Sequence, residues 1–169
     1  LFPEAHGEVL PFLATLMGIK TSGSLAERLK GIEGDALENL ILRSVRTLLT
    51  RAAEINPLVL VVEDLHWADT SSIELMESVF RLAEAQKILF VNVFRPGYKE
   101  TGDRIVQSLK ERLHVYHVQI SVEPLGENET ESLVTSIVHL SDAHRPFIGQ
   151  IVQRTGGNPF FLEEVVRSL

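Results

Sequence analysis

The sequence predicts an α/β protein with a parallel sheet, followed by a small all-helical subdomain. Three observations carry this. Short apolar runs alternate with helical periodicities from residue 36 to 122, at the spacing of strand–helix–strand crossovers. After Pro124-Leu125 only helical spacing remains. The composition, 169 residues with 44% hydrophobic and 23% charged, is ordinary globular material, enough to bury a core without covalent staples.

Taken in order, residues 1–36 are the least regular. Leu10, Phe12, Leu13, Leu16 and Met17 fit one short helix, which Gly18 and Ser22-Gly23-Ser24 break. From Ala36 to Glu54 the helical stripe is clear, with Leu37, Leu40, Ile41, Val45, Leu48, Leu49 and Ala52 apolar and Arg43, Arg46 and Arg51 between them. Asn56-Pro57 stops it. Leu58–Val62, apolar at every position and too short for a helix, reads as a strand buried on both faces. Asp69, Thr70 and Ser71 are each able to cap the next helix, whose buried stripe is Ile73, Met76, Val79, Phe80 and Ala83. A second strand is expected over 88–94, a helix over 103–113 and a third, more polar strand over 115–122. Helices are then expected over 130–140, 146–153 and 159–169. Asn158 should cap the last of these, with Pro159 at its first position. The boundary is drawn near 124, giving an α/β part over 1–124 and a helical part over 125–169.

Composition also excludes. With no cysteine, a disulfide scaffold, a Cys-ligated zinc site and a thiol nucleophile are all ruled out, and a reducing, cytoplasmic setting is expected. Sixteen Lys+Arg against 23 Asp+Glu give a net charge of −7, which argues against nucleic acid as a partner. No apolar run approaches the ~20 residues of a membrane span, so no membrane partner is expected. The first ten residues lack the basic start of a signal peptide. Leu1 in place of Met, with a helical pattern running to the last residue, is what a segment of a longer polypeptide would show.

The sharpest local feature is Glu63-Asp64, directly after the first strand. Ligands of parallel sheets sit at the carboxyl ends of the strands. Two carboxylates there suit Mg²⁺ bridging to phosphate oxygens, and the second could orient a water. The pair reads equally as an acidic strand-to-helix loop. Arg95, past the second strand, has the always-charged fork that suits a phosphate, or is a surface arginine in a Pro-Gly turn. Trp67 alone reads as packing. His66 reads as a loop residue, a zinc role lacking further ligands. His139 and His144 read as solvated or satisfied residues.

Together these residues resemble a known family. Leu58-Val59-Leu60-Val61-Val62-Glu63-Asp64-Leu65-His66-Trp67-Ala68-Asp69 is similar to the Walker B segment of the signal-transduction ATPases with numerous domains. These form the STAND branch of the AAA+-like P-loop NTPases. Phe94-Arg95-Pro96-Gly97 resembles that family's sensor strand end, and Thr155–Glu164, containing Gly156-Gly157-Asn158-Pro159, its Gly-x-Pro lid motif. The flavour is that of modules in bacterial class III adenylyl cyclases, LuxR-type regulators and multidomain Ser/Thr kinases. The resemblance implies a partial P-loop NTPase fold with flanking helices and a helical lid. It also implies ATP and Mg²⁺ as cofactors of the parent protein. Glu63 would direct the metal, where the family more often has Asp, and Asp64 would polarise the attacking water. Arg95 would sense the γ-phosphate. Gly157, Asn158 and Pro159 would lie by the adenine and report nucleotide state to a linked cyclase, kinase or DNA-binding output domain.

One part of that pattern is missing. A phosphate loop needs Gly-x-x-x-x-Gly-Lys-[Ser/Thr]. Gly18-Ile19-Lys20-Thr21 has the lysine misplaced and no strand before it. The chain alone is therefore expected not to bind ATP well. In the family, a strand carrying that loop lies between the strands read here at 88–94 and 115–120. Its absence would leave strand edges free to self-associate. The alternative is a non-catalytic interaction module, and a weaker one is a free-standing Mg²⁺-dependent phosphohydrolase using Glu63 and Asp64.

Overall fold

The computed structural model describes residues 6–137, 149–150 and 153–168. The expected helix over 146–153 falls largely outside them, as do His139 and His144. Residues through Val118 form one compact unit, and Gln119 onward a second.

In the first unit, α1 (His6–Leu16), α2 (Ser24–Leu29) and α3 (Gly34–Ile55) precede β1 (Leu58–Val62). After it come α4 (Thr70–Phe80), β2 (Ile88–Asn92) and α5 (Arg104–Arg112). The two strands pair in parallel, with Leu58 opposite Ile88 and Val62 opposite Asn92. This is a small parallel sheet flanked by helices, the α/β arrangement that the sequence predicts.

The apolar stripes explain the assembly. Ile73 and Phe80 of α4 meet Ile105 of α5, Leu65 and Leu113 in one core, with Phe90 and Phe94 packed on it. A second cluster joins Ala53 of α3, Val79, Leu82 and Ile88, against which Leu58 and Leu60 lie. Each fully buried aliphatic side chain contributes roughly 1.5–3 kcal/mol. Arg104 fixes α5 to α4 through a two-pronged bond to Glu77, at 3.1 and 2.8 Å. Asp69 is the cap that α4 uses, its carboxylate accepting from the Ser72 N–H at 2.7 Å.

Two expectations are corrected here. The first strand is not buried on both faces. Leu58, Leu60 and Val62 face the core. Val59, Val61, Leu89, Val91 and Val93 lie 37–64% exposed on the other side, because no described helix covers them. Nor do residues 115–122 form a strand. Val118, Ile120 and Val122 are more than four-fifths exposed, although their alternation with His117, Gln119 and Ser121 is that of a strand. A strand needs a hydrogen-bonding neighbour, and among the described residues this segment has none.

The second unit packs α6 (Glu127–Ile137) on α7 (Pro159–Arg167) through Val134, Leu162 and Val166. Gly126 and Glu129 close the start of α6, the Glu129 carboxylate accepting from the Gly126 N–H at 2.8 Å. Ahead of α7, Gly157 has φ +73° and its carbonyl accepts from the Leu125 N–H at 2.8 Å. A Cβ there would strike the Leu125 carbonyl, so only glycine fits.

The Asp69 cap sets a pH dependence. Hydrogen bonds from the Ser72 side chain and backbone hold its carboxyl below the usual aspartate value. A lowered carboxyl stabilises the fold above its unfolded value, and that contribution disappears as pH falls through the folded value. Denaturant titrations should show Asp69→Ala less stable than the unaltered chain at neutral pH. That gap should close only below the ordinary aspartate range.

Candidate functional site

The carboxyl end of the sheet is built around one irregularity. Val93, the residue after β2, donates its N–H to the Val62 carbonyl at 2.8 Å and accepts from the Leu65 N–H at 3.1 Å. In a regular parallel ladder those two partners would be two positions apart; here they are three. Glu63 and Asp64 therefore bulge out of the ladder, and a bulge re-aims the side chains it carries. Asp64 has φ 52° and ψ 31°, and it is the one non-glycine with positive φ among the described residues. Aspartate tolerates this left-handed backbone better than most residues, although it still costs energy. Both carboxylates are exposed, and among the described residues neither pairs with Lys, Arg or His.

A single turn of 3₁₀ helix, Leu65–Trp67, follows. Leu65 plugs into the core and anchors the bulge from beneath. His66 lies in this loop, as expected, but is only 4% exposed. It ties this loop to the one after β2. Its Nδ1 accepts from the Arg95 N–H at 3.5 Å, and its carbonyl accepts from the Thr101 hydroxyl at 3.3 Å. Its ring lies 5.0 Å from that of Trp67 and 4.9 Å from that of Tyr98. Trp67, expected as packing, is 73% exposed and presents an edge to Tyr98. The sequence signal for His66 was its place between a buried leucine and a tryptophan. Nothing in that spacing names Arg95 or Thr101 as its partners.

Of the predicted site residues, Glu63, Asp64 and Arg95 thus sit on two loops joined through His66. The Arg95 side chain is exposed. Gly157, Asn158 and Pro159 belong to the second unit, where Asn158 caps α7 by accepting from the Phe160 N–H at 3.0 Å. Pro159 takes the first helical position, as expected.

Two exposed carboxylates fit Mg²⁺, which is commonly held by one or two carboxylates with water and phosphate oxygens completing its shell. Among the described residues no group of three or more ligand side chains converges. The phosphates of ATP find no such fit at the only Gly…Lys-Thr of the sequence. Gly18, with φ +66°, ends α1, and the Ile19 N–H donates to the Ala14 carbonyl at 2.8 Å in a Schellman closure. Among the described residues no helix is long and apolar enough to cross a membrane.

The sequence profile of the AAA ATPase domain family matches residues 5–91, from α1 through the site's first loop and into β2. Comparison with curated proteins and with solved structures finds no match.

The strained aspartate gives a direct test of this geometry. Asp64→Ala should unfold at lower urea than Asp64→Gly, by about 1–2 kcal/mol, because only glycine is free of the left-handed penalty. Equal stability of the two variants would contradict the backbone described here.

Proposed function

The chain belongs to the AAA ATPase domain family, and on that premise we propose that its Glu63–Asp64 loop is the magnesium-facing end of an ATPase switch of the STAND type. The observation that carries this reading is the bulge. It turns two unpaired carboxylates outward at the carboxyl end of a parallel strand, where ligands of such sheets gather.

In this proposal Glu63 and Asp64 act as a Walker B pair. Glu63 holds the metal and Asp64 orients and polarises the attacking water. Bound Mg²⁺ would supply charge neutralisation on the phosphates. Arg95 senses the γ-phosphate, and His66 sets the backbone from which it extends. Gly157, Asn158 and Pro159 form the lid's contact with adenine. The phosphate loop comes from elsewhere in a longer, cytoplasmic polypeptide, so the chain alone is not a competent ATPase. Nucleotide state is passed to a linked cyclase, kinase or DNA-binding domain.

A second reading has its own support. Val59, Val61, Leu89, Val91 and Val93 make an exposed apolar sheet face, and such faces mark interaction surfaces. It favours a non-catalytic module that self-associates.

One paired experiment separates the two. In a protein carrying both this chain and the phosphate loop, Asp64→Asn should lower ATP turnover about 10²-fold or more while calorimetry shows Mg-ATP still binding. Unchanged turnover would overturn the Walker B role. Absence of any Mg-ATP binding, together with concentration-dependent assembly in sedimentation velocity, would favour the second reading.

A further inference from the structure

Away from the strand ends, α3 and α4 with the turn after it enclose an open groove of about 650 Å³. Its wall on α3 carries Arg43, Arg46 and Arg51, against one carboxylate, Glu54. In a chain of net charge −7 this is a local reversal of sign. The three arginines are not equivalent. Arg51 is bonded to Glu54 at 3.1 Å. Arg46, also exposed, reaches from α3 to α4, donating from Nη1 to the Ser78 carbonyl at 3.1 Å, which orients its guanidinium. Arg43 is exposed and has no acidic partner among the described residues. Between the helices Leu42 and the buried Leu82 give the groove an apolar element.

We propose that this groove is a docking site for an acidic peptide segment of a partner protein, one apolar side chain resting on Leu42 and Leu82 and its carboxylates reaching Arg43 and Arg46. Charge complementarity carries the choice of occupant. A guanidinium matches a carboxylate as a two-pronged fork, and Arg46 is already oriented. A free small anion in so open a groove would keep competing with water and salt. A nucleic acid needs a longer run of cations along its phosphates than the three arginines of this groove supply. The site uses only α3, α4 and the turn after it, so it stands or falls apart from the nucleotide reading.

Fluorescence anisotropy with the whole chain tests this. The probe is a fluorescein-labelled Glu-Glu-Leu-Glu-Asp-Leu-Glu-Glu peptide. Controls are the same peptide with Gln and Asn for Glu and Asp, an oligo-dT strand and inorganic phosphate as competitor. The acidic peptide should bind saturably and lose affinity when salt rises from about 0.05 M to about 0.5 M. Arg43→Glu, which leaves the Arg46–Ser78 bond in place, should weaken it roughly tenfold with an unchanged circular dichroism spectrum. Thr50→Glu, on the same wall, should do likewise. No saturable binding by the unaltered chain would overturn the proposal. So would equal binding of the neutral peptide, indifference to both substitutions, displacement by millimolar phosphate, or tighter binding of oligo-dT.

Discussion

Val93 closes the carboxyl end of the sheet with two backbone hydrogen bonds, and the candidate site depends on the mismatch between them. Because its partners are Val62 and Leu65, one residue too many lies between. The chain accommodates the surplus by turning Asp64 into the left-handed region and pushing two carboxylates into solvent. Leu65, held in the core, keeps the excess from being absorbed by sliding the strand. The same anchor sets His66 where its ring and carbonyl reach the loop after β2, so the acidic pair and Arg95 are positioned by one connected set of contacts.

That arrangement needs only one face of the sheet. The helices α3, α4 and α5 cover Leu58, Leu60, Val62 and Phe90, while Val59, Val61 and Leu89 stay bare. Parallel sheets are ordinarily covered on both faces, so the bare side is the structural feature most in need of a partner. The unpaired segment around Val118, Ile120 and Val122 makes the same point in one dimension. Its alternation suits a strand, and no neighbour among the described residues supplies the hydrogen bonds.

Much of this was legible in the residues themselves. The apolar run Leu58–Val62, the stripe of Ile73, Val79 and Phe80, and the caps at Asp69 and Asn158 are local signals, and local physics decides them. What periodicity could not report was pairing. It marked residues 115–122 as strand because side-chain alternation is encoded locally, whereas a ladder requires another chain segment. It also took Leu58–Val62 as buried on both sides, since an apolar residue does not state what lies against it. His66 was underread for a related reason: its burial comes from Tyr98 and Thr101, more than thirty residues away. At the site itself, the placement of Glu63-Asp64 after a strand was readable, but the extra residue in the ladder was not.

Central to the proposed switch is the bulge, which would present Glu63 and Asp64 to a divalent cation. Paramagnetic broadening by Mn²⁺ in ¹⁵N-correlated NMR spectra of the chain, with Mg²⁺ as competitor, measures this most directly. The amides of residues 63–66 and 93–95 should broaden first and recover when Mg²⁺ is added. In Glu63→Gln/Asp64→Asn this should vanish while the rest of the spectrum stays in place. Broadening centred on other acidic residues, or unchanged in that double variant, would contradict it.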